Sequence, residues 1–285
     1  MSTEQIILSR HARRKETLVA IRPNRAPGRQ VVITLAIGFM IGLILLFLVL
    51  PTLIVVGISL GTASYIEFPP AALSLRWYQA YFNDPTWMAA TFFSLKIALA
   101  TTATSIVVGT LAAIALVRGN LPGKHIIQAL VLGPLIIPHI VFGVALYLVF
   151  APLRLTGNFA GFLVAHTVLA VPYVVISVMA ALQRFDVSLE LAALSCGANR
   201  AQTFCYVVLP NILPAIATGA VFAFLSSFDE ATVAFFLSDV GGKTISSKMF
   251  KDIDFNLTPV IAAISTMLVA VSFLLMGLIH QARHR

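Results

Sequence analysis

Charge is scarce in this sequence. Its 285 residues include 19 basic and 11 acidic side chains, a charged share of 11%, where a soluble globular domain carries about a quarter. A water-facing surface of ordinary size cannot be built from so few charges. Cysteine is nearly absent too. Cys196 and Cys205 lie nine residues apart with no neighbouring histidine or further cysteine, which favours neither a disulfide nor a metal site and leaves both as small packing residues. No GxxxxGK[ST] phosphate loop occurs, so the chain supplies no nucleotide chemistry of its own.

What the sequence has in quantity is apolar length. Hydrophobic residues make up 59% of it and the mean hydropathy is +0.95. Apolar runs near 31–60, 89–117, 125–150, 157–183, 211–237 and 258–280 each reach the roughly 20 residues needed to cross about 30 Å of hydrocarbon. The expectation is an all-α integral membrane protein with six transmembrane helices, forming one membrane domain over 31–280. No room remains for a soluble catalytic domain.

The tail 1–30 holds Arg10, Arg13, Arg14, Lys15, Arg22, Arg25 and Arg29. The apolar run behind it is too long for a cleaved signal peptide, so span one is expected to stay in the mature protein. With the amino terminus inside, 13 of the 19 basic residues fall in the inner segments 1–30, 118–124, 184–210 and 281–285. Arg76, Arg154, Lys243, Lys248 and Lys251 fall outside. That bias predicts both termini in the cytoplasm. The formal charge of +8 then meets anionic lipid headgroups, and a nucleic-acid partner is not called for.

Outside, segment 61–88 carries Trp77, Tyr78, Tyr81, Phe82 and Trp87, which predicts a short interfacial helix with aromatic anchors. Inside, Val117 to Lys124 is a turn, punctuated by Gly119, Asn120, Pro122 and Gly123.

The segment 186–210 is too polar to span and too helical for a simple loop. Asp186 and Ser188 offer capping side chains, and Leu189, Ala192, Ala193 and Cys196 form a small apolar stripe. A short helix should run to about Cys196 and end at Gly197. A second should occupy Ala198 to Tyr206, with Pro210 and Pro214 marking the start of span five. Such a knob lets a partner surface approach closely over the alanines, with polar groups at its rim.

These residues resemble the cytoplasmic "EAA" signature of ATP-binding-cassette importer permeases. Leu191-Ala192-Ala193, Gly197, Val207, Leu209 and Pro210 stand at the motif's positions, and Asp186, Ser188, Leu189 and Glu190 match its lead-in. Leu191 departs from it, because the family usually has glutamate there. The reciprocal cap with Ser188 is therefore missing. The resemblance implies that the knob, Ala198 included, docks into a groove on a cytoplasmic ATPase subunit, so that nucleotide-driven closure moves the membrane helices.

Span five contains Leu225 to Thr232, LSSFDEAT, with Ser226 and the adjacent acids Asp229 and Glu230. Counting from about Ala215 at 1.5 Å per residue puts Asp229 roughly 21 Å across the membrane. Lys96 in span two falls at similar depth, which allows an internal ion pair. Acids at this depth need water, a bundle interior or a counter-charge, and one lysine leaves one acid available to a cationic substrate, so Ser226, Asp229, Glu230 and Lys96 are candidate substrate-pathway residues. In span three, Pro134 and Pro138 each free a helical carbonyl, which makes the neighbouring His139 a candidate lining or gating residue. His166 has no motif beside it.

The SFDE stretch, the layout of 31–280 and Thr244, Lys248, Met249, Phe250 and Asp252 resemble the spermidine/putrescine branch of these permeases, in particular its C-type channel subunit. Related branches carry 2-aminoethylphosphonate or other small charged solutes. The resemblance implies import from periplasm to cytoplasm across a bacterial inner membrane. It also implies a periplasmic substrate-binding protein, a second homologous permease in a heterodimeric pore, and two ATPase subunits that hold the ATP and magnesium. A secondary transporter would leave the knob without a partner. A membrane enzyme built on Asp229, Glu230, His139 or His166 would lack any recognised nucleophile or metal spacing.

Overall fold

The computed structural model describes residues 27–239, 242–255 and 258–283. The basic side chains of the two tails, 1–30 and 281–285, lie outside the described residues. By its contacts the chain divides into two units, Met1–Leu53 and Ile54–Arg285, and no strand occurs among the described residues. The described part of the first unit is helical from Pro27, in α1 (Pro27–Ser59).

In the second unit, α2 (Arg76–Asn83) leads to α3 (Pro85–Arg118). Asp84 sets where α3 begins. Its Oδ1 accepts from the backbone N–H of Thr86 at 2.7 Å and of Trp87 at 3.4 Å, and Pro85 takes a first-turn position that needs no N–H. After the turn come α4 (Lys124–Leu132), a tight 3-10 turn over Gly133–Leu135, and α5 (His139–Phe150). Then follow α6 (Phe159–Arg184), α7 (Ser188–Ser195), α8 (Arg200–Thr203), a π-turn over Phe204–Val208, α9 (Leu209–Phe228), α10 (Thr232–Leu237), α11 (Ile245–Phe255) and α12 (Pro259–Arg283). Five of the described helices are long and apolar enough to cross a bilayer, and six spans result if the bent α4–α5 pair counts as one.

Helices α3, α6 and α9 pack against one another at the centre. Small residues make this possible. A Cβ on Gly109 of α3 would lie 2.7 Å from the Val174 Cβ of α6, and one on Gly219 of α9 would lie 2.8 Å from the Val174 Cα. Val174 is thus held between two glycines. Around it, Ala113, Leu116, Val175, Val178, Ile212 and Ile216 are buried in one cluster.

Two spans differ from the continuous rods expected at 125–150 and 211–237. The first bends by 101° between its halves, where Pro134 and Pro138 cannot donate to the helical ladder. The second stops at Phe228, and α10 resumes only at Thr232. Three of the aromatics of segment 61–88 also differ from headgroup anchors, whereas Phe82 is exposed and Tyr78 half-buried. Trp77, Tyr81 and Trp87 are buried, Tyr81 and Trp87 cluster with Ile245 and Ile264, and the Tyr81 hydroxyl shares a 2.6 Å hydrogen bond with Thr91. Apolar partners on α11 and α12 give those rings a drier place than an interface.

Candidate functional site

Asp186 opens the polar segment 186–210. Its Oδ1 accepts from the Ser188 N–H at 2.9 Å, and this hydrogen bond holds the carboxyl below its ordinary range. Helix α7 follows and buries none of its residues. Leu189, Leu191 and Leu194 are exposed on it, as is Val187 just before it. Ala192 is exposed and Ala193 half-buried. Leu191 makes no cap, as its side chain requires.

The end of α7 is set by backbone chemistry. Gly197 has φ +89°, the Gly197 N–H donates to Leu194 O at 3.0 Å, and the Ala198 N–H donates to Ala193 O at 3.1 Å. This pair of bonds is a Schellman stop, which a left-handed residue completes. No atom lies within 4 Å of where a Gly197 Cβ would stand. The glycine is therefore required by its φ rather than by crowding.

The second helix of the segment is not a separate short element ending near Tyr206. Asn199 and Gln202 form the capping box that Ser188 and Leu191 cannot, each side chain accepting from the other's N–H at 2.9 Å. From Arg200 the chain stays helical to Phe228. Pro210 has no N–H to give the Tyr206 carbonyl. The helix widens just before it, and the Leu209 N–H reaches back five residues to Phe204 O. Leu209 and Pro210 thus lie inside a continuous rod. Cys196 and Cys205, expected as packing residues, are both exposed thiols.

The breaks in spans three and five meet at a second place. Glu230 is buried, and both its oxygens are engaged. Oε1 accepts from the Val233 N–H at 2.8 Å, which caps α10, and Oε2 lies 2.9 Å from His139 Nδ1. Asp229 behaves differently. Its backbone N–H closes α9 on Leu225 O at 3.0 Å, while its side chain is exposed and accepts no hydrogen bond from the described residues. A cavity of about 670 Å³ is lined by His139, Ser226, Asp229 and Glu230 together with Tyr173, Phe222, Phe228 and Phe273. Carboxylate and aromatic faces in one cavity suit an organic cation. Lys96 is exposed, does not line the cavity, and pairs with neither acid. His166 is buried away from it, its Nδ1 2.9 Å from Ser227 Oγ.

Residues 105–283 match the family described as "Binding-protein-dependent transport system inner membrane component". The chain belongs to this family. It is a permease subunit of an ATP-binding-cassette importer, among subunits that are not themselves catalytic. This permease is 31% identical over 251 residues to the "Putrescine transport system permease protein PotI" of Escherichia coli (strain K12), covering 86% of each chain. It is 29% identical to the "Spermidine/putrescine transport system permease protein PotC" of Haemophilus influenzae, covering 81% of this chain and 90% of that one. A chain of the crystal structure of a bacterial importer of the acidic polysaccharide alginate shares its fold, with a TM-score of 0.73 at 16% identity, over 91% of this chain and 99% of the other.

Three features of the permease escaped the sequence reading. The Asn199–Gln202 box carries a readable signal, because an Asx residue followed three positions later by Gln is a helix start. The aromatic wall at Tyr173 and Phe222 carries none, since nothing local says which apolar residues face a cavity. Arg118 is the third. Its guanidinium grips Glu190 of α7 with both nitrogens, Nη1 to Oε2 at 3.0 Å and Nη2 to Oε1.

Proposed function

We propose that this permease carries a polyamine, spermidine or putrescine, from periplasm to cytoplasm, with both termini in the cytoplasm. A periplasmic binding protein delivers the cation, and a second homologous permease completes a heterodimeric pore. Two cytoplasmic ATPases, which hold ATP and magnesium, dock on segment 186–210. Asp186, Ser188, Glu190, Leu191, Ala192, Ala193, Gly197 and Ala198 form the docking element, and Leu209 and Pro210 lead from it into span five. Asp229 meets the passing ammonium groups. Ser226, His139 and Glu230 shape the wall, and Lys96 stays outside the path.

The observation that carries this reading is the unbonded Asp229 carboxylate in an aromatic-lined cavity. A carboxylate without a partner at membrane depth is costly unless water or a cation meets it. The names of the putrescine and spermidine permeases that the chain resembles support the same substrate class. The test is ATP-dependent uptake by the complete reconstituted assembly, with spermidine, putrescine and 2-aminoethylphosphonate as competitors. Competition by the two polyamines supports the reading. Competition by the phosphonate alone overturns it in favour of the zwitterion.

A further inference from the structure

Helix α7 is an exposed element that buries no residue, yet it is the part of the chain on which a partner is proposed to push. Its covalent connections run to α6 on one side and through the Gly197 turn to α8 on the other. A non-covalent connection also exists. The Arg118 guanidinium at the last residue of α3 holds Glu190 in a two-point fork, Nη1 to Oε2 at 3.0 Å and Nη2 to Oε1. The same guanidinium carbon lies 5.7 Å from the ring centroid of Phe185, the residue just after α6, which packs against the central cluster.

Planar two-point pairing fixes orientation as well as distance. The two side chains are 31% and 20% exposed, so water screens the pair less than it would a pair of free surface charges. Helix α3 carries Gly109 into the contact with Val174. A rigid tie at the Arg118 end of α3 therefore reaches the three-helix centre without passing along the backbone of α6 or α9.

We propose that Arg118 is a positioning residue. It locks α7 to the end of α3, so that displacement of the docking element is delivered to α3 and the central packing directly. The inference rests on the docking role proposed for 186–210. It adds to that role an anchor within the chain, because the Glu190 carboxylate of the docking element is held by Arg118.

The test is charge exchange in the complete assembly in liposomes, reading substrate taken up per ATP hydrolysed. Arg118→Glu should lower that ratio about tenfold while ATP hydrolysis persists, and adding Glu190→Arg, which restores opposite charges, should recover it to within about twofold, as coupled neighbours do. An unchanged ratio in Arg118→Glu overturns the inference. So does an exchanged pair no better than Arg118→Glu alone, which would place Glu190 against the ATPase instead. If a single variant fails to assemble, recovery of assembly and of the ratio by the exchange supports the tie, and no recovery overturns it. Failure of the docking role shows separately, as uptake by the unmodified permease that continues without ATPase subunits.

Discussion

His139 Nδ1 and Glu230 Oε2 stand 2.9 Å apart, so the break in span three is joined side chain to side chain with the break in span five. Glu230 also caps α10 through Val233. Both oxygens of this acid are thereby committed to the protein, whereas its neighbour Asp229 is committed to nothing but its backbone. The two acids lie in the break between α9 and α10, outside either helix, and there their side chains part into a structural carboxylate and an available one.

The two acids should therefore fail in different ways. Asp229→Asn is expected to raise the apparent KM for a polyamine roughly 10- to 100-fold, the range of a charge-assisted hydrogen bond, with little change in Tm of the purified permease. Glu230→Ala should lower stability by about 1–3 kcal/mol, because it removes a cap and leaves polar groups unpaired. Glu230→Gln can still cap α10 and should be milder. Uptake kinetics and thermal unfolding, measured side by side, check the contrast.

At Gly197 the expectation concerns φ. A side chain in the left-handed region costs about 1–2 kcal/mol, and a β-branched one more. Gly197→Val should leave ATP hydrolysis running while uptake falls, and Gly197→Asn, which tolerates that region, should keep most of both. Leu191→Glu should be tolerated, since the exposed Leu191 makes no cap that the change would break. Normal transport by the Gly197→Val assembly would contradict the docking role.

Close packing on Val174 gives a stability prediction. Gly219→Ala drives a methyl to 2.8 Å from the Val174 Cα, and Gly109→Ala drives one to 2.7 Å from its Cβ. Each should cost about 1–3 kcal/mol as overpacking. The two costs should be comparable, because neither the Cα nor the Cβ of Val174 can turn aside. Thermal unfolding of the two variants in detergent measures them.

Asp84 should make stability sensitive to acid. The Thr86 side chain and the α3 backbone amides hydrogen-bond its carboxylate and hold its pKa below the ordinary value near 3.8. A depressed folded pKa contributes stability that is present above the unfolded value and is lost as pH falls through the folded one. An Asp84→Ala variant loses this contribution at every pH, about 0.5–2 kcal/mol for an N-cap. Its stability gap to the parent protein should be constant at neutral pH and narrow below about pH 4, as denaturation series at several pH values can read.

Much of this architecture is legible in single residues. The apolar runs mark helices because a bilayer demands length, and Gly197 marks a stop because a left-handed residue is needed after α7. Pro134 and Pro138 announce an irregularity, but the 101° bend depends on what the two halves pack against. Pro210 reads as a helix start and is not one, since a π-turn absorbs it and the Asn199–Gln202 box has already begun the rod. Lys96 shows the limit of counting along a helix. Rise per residue gives depth and says nothing about facing, and at the depth of the acids it was His139, on another helix, that turned toward Glu230. Arg118 and Glu190 stand 72 residues apart in sequence, a separation across which no local pattern speaks.

The exposed thiol of Cys196, beside Gly197, gives the most direct access to the central claim that work enters this permease through segment 186–210. In an active assembly, a short bifunctional crosslinker attached at Cys196 should capture an ATPase subunit, and the captured complex should lose uptake. No capture of an ATPase from this position, together with undiminished uptake after the ATPase subunits are removed, would contradict it.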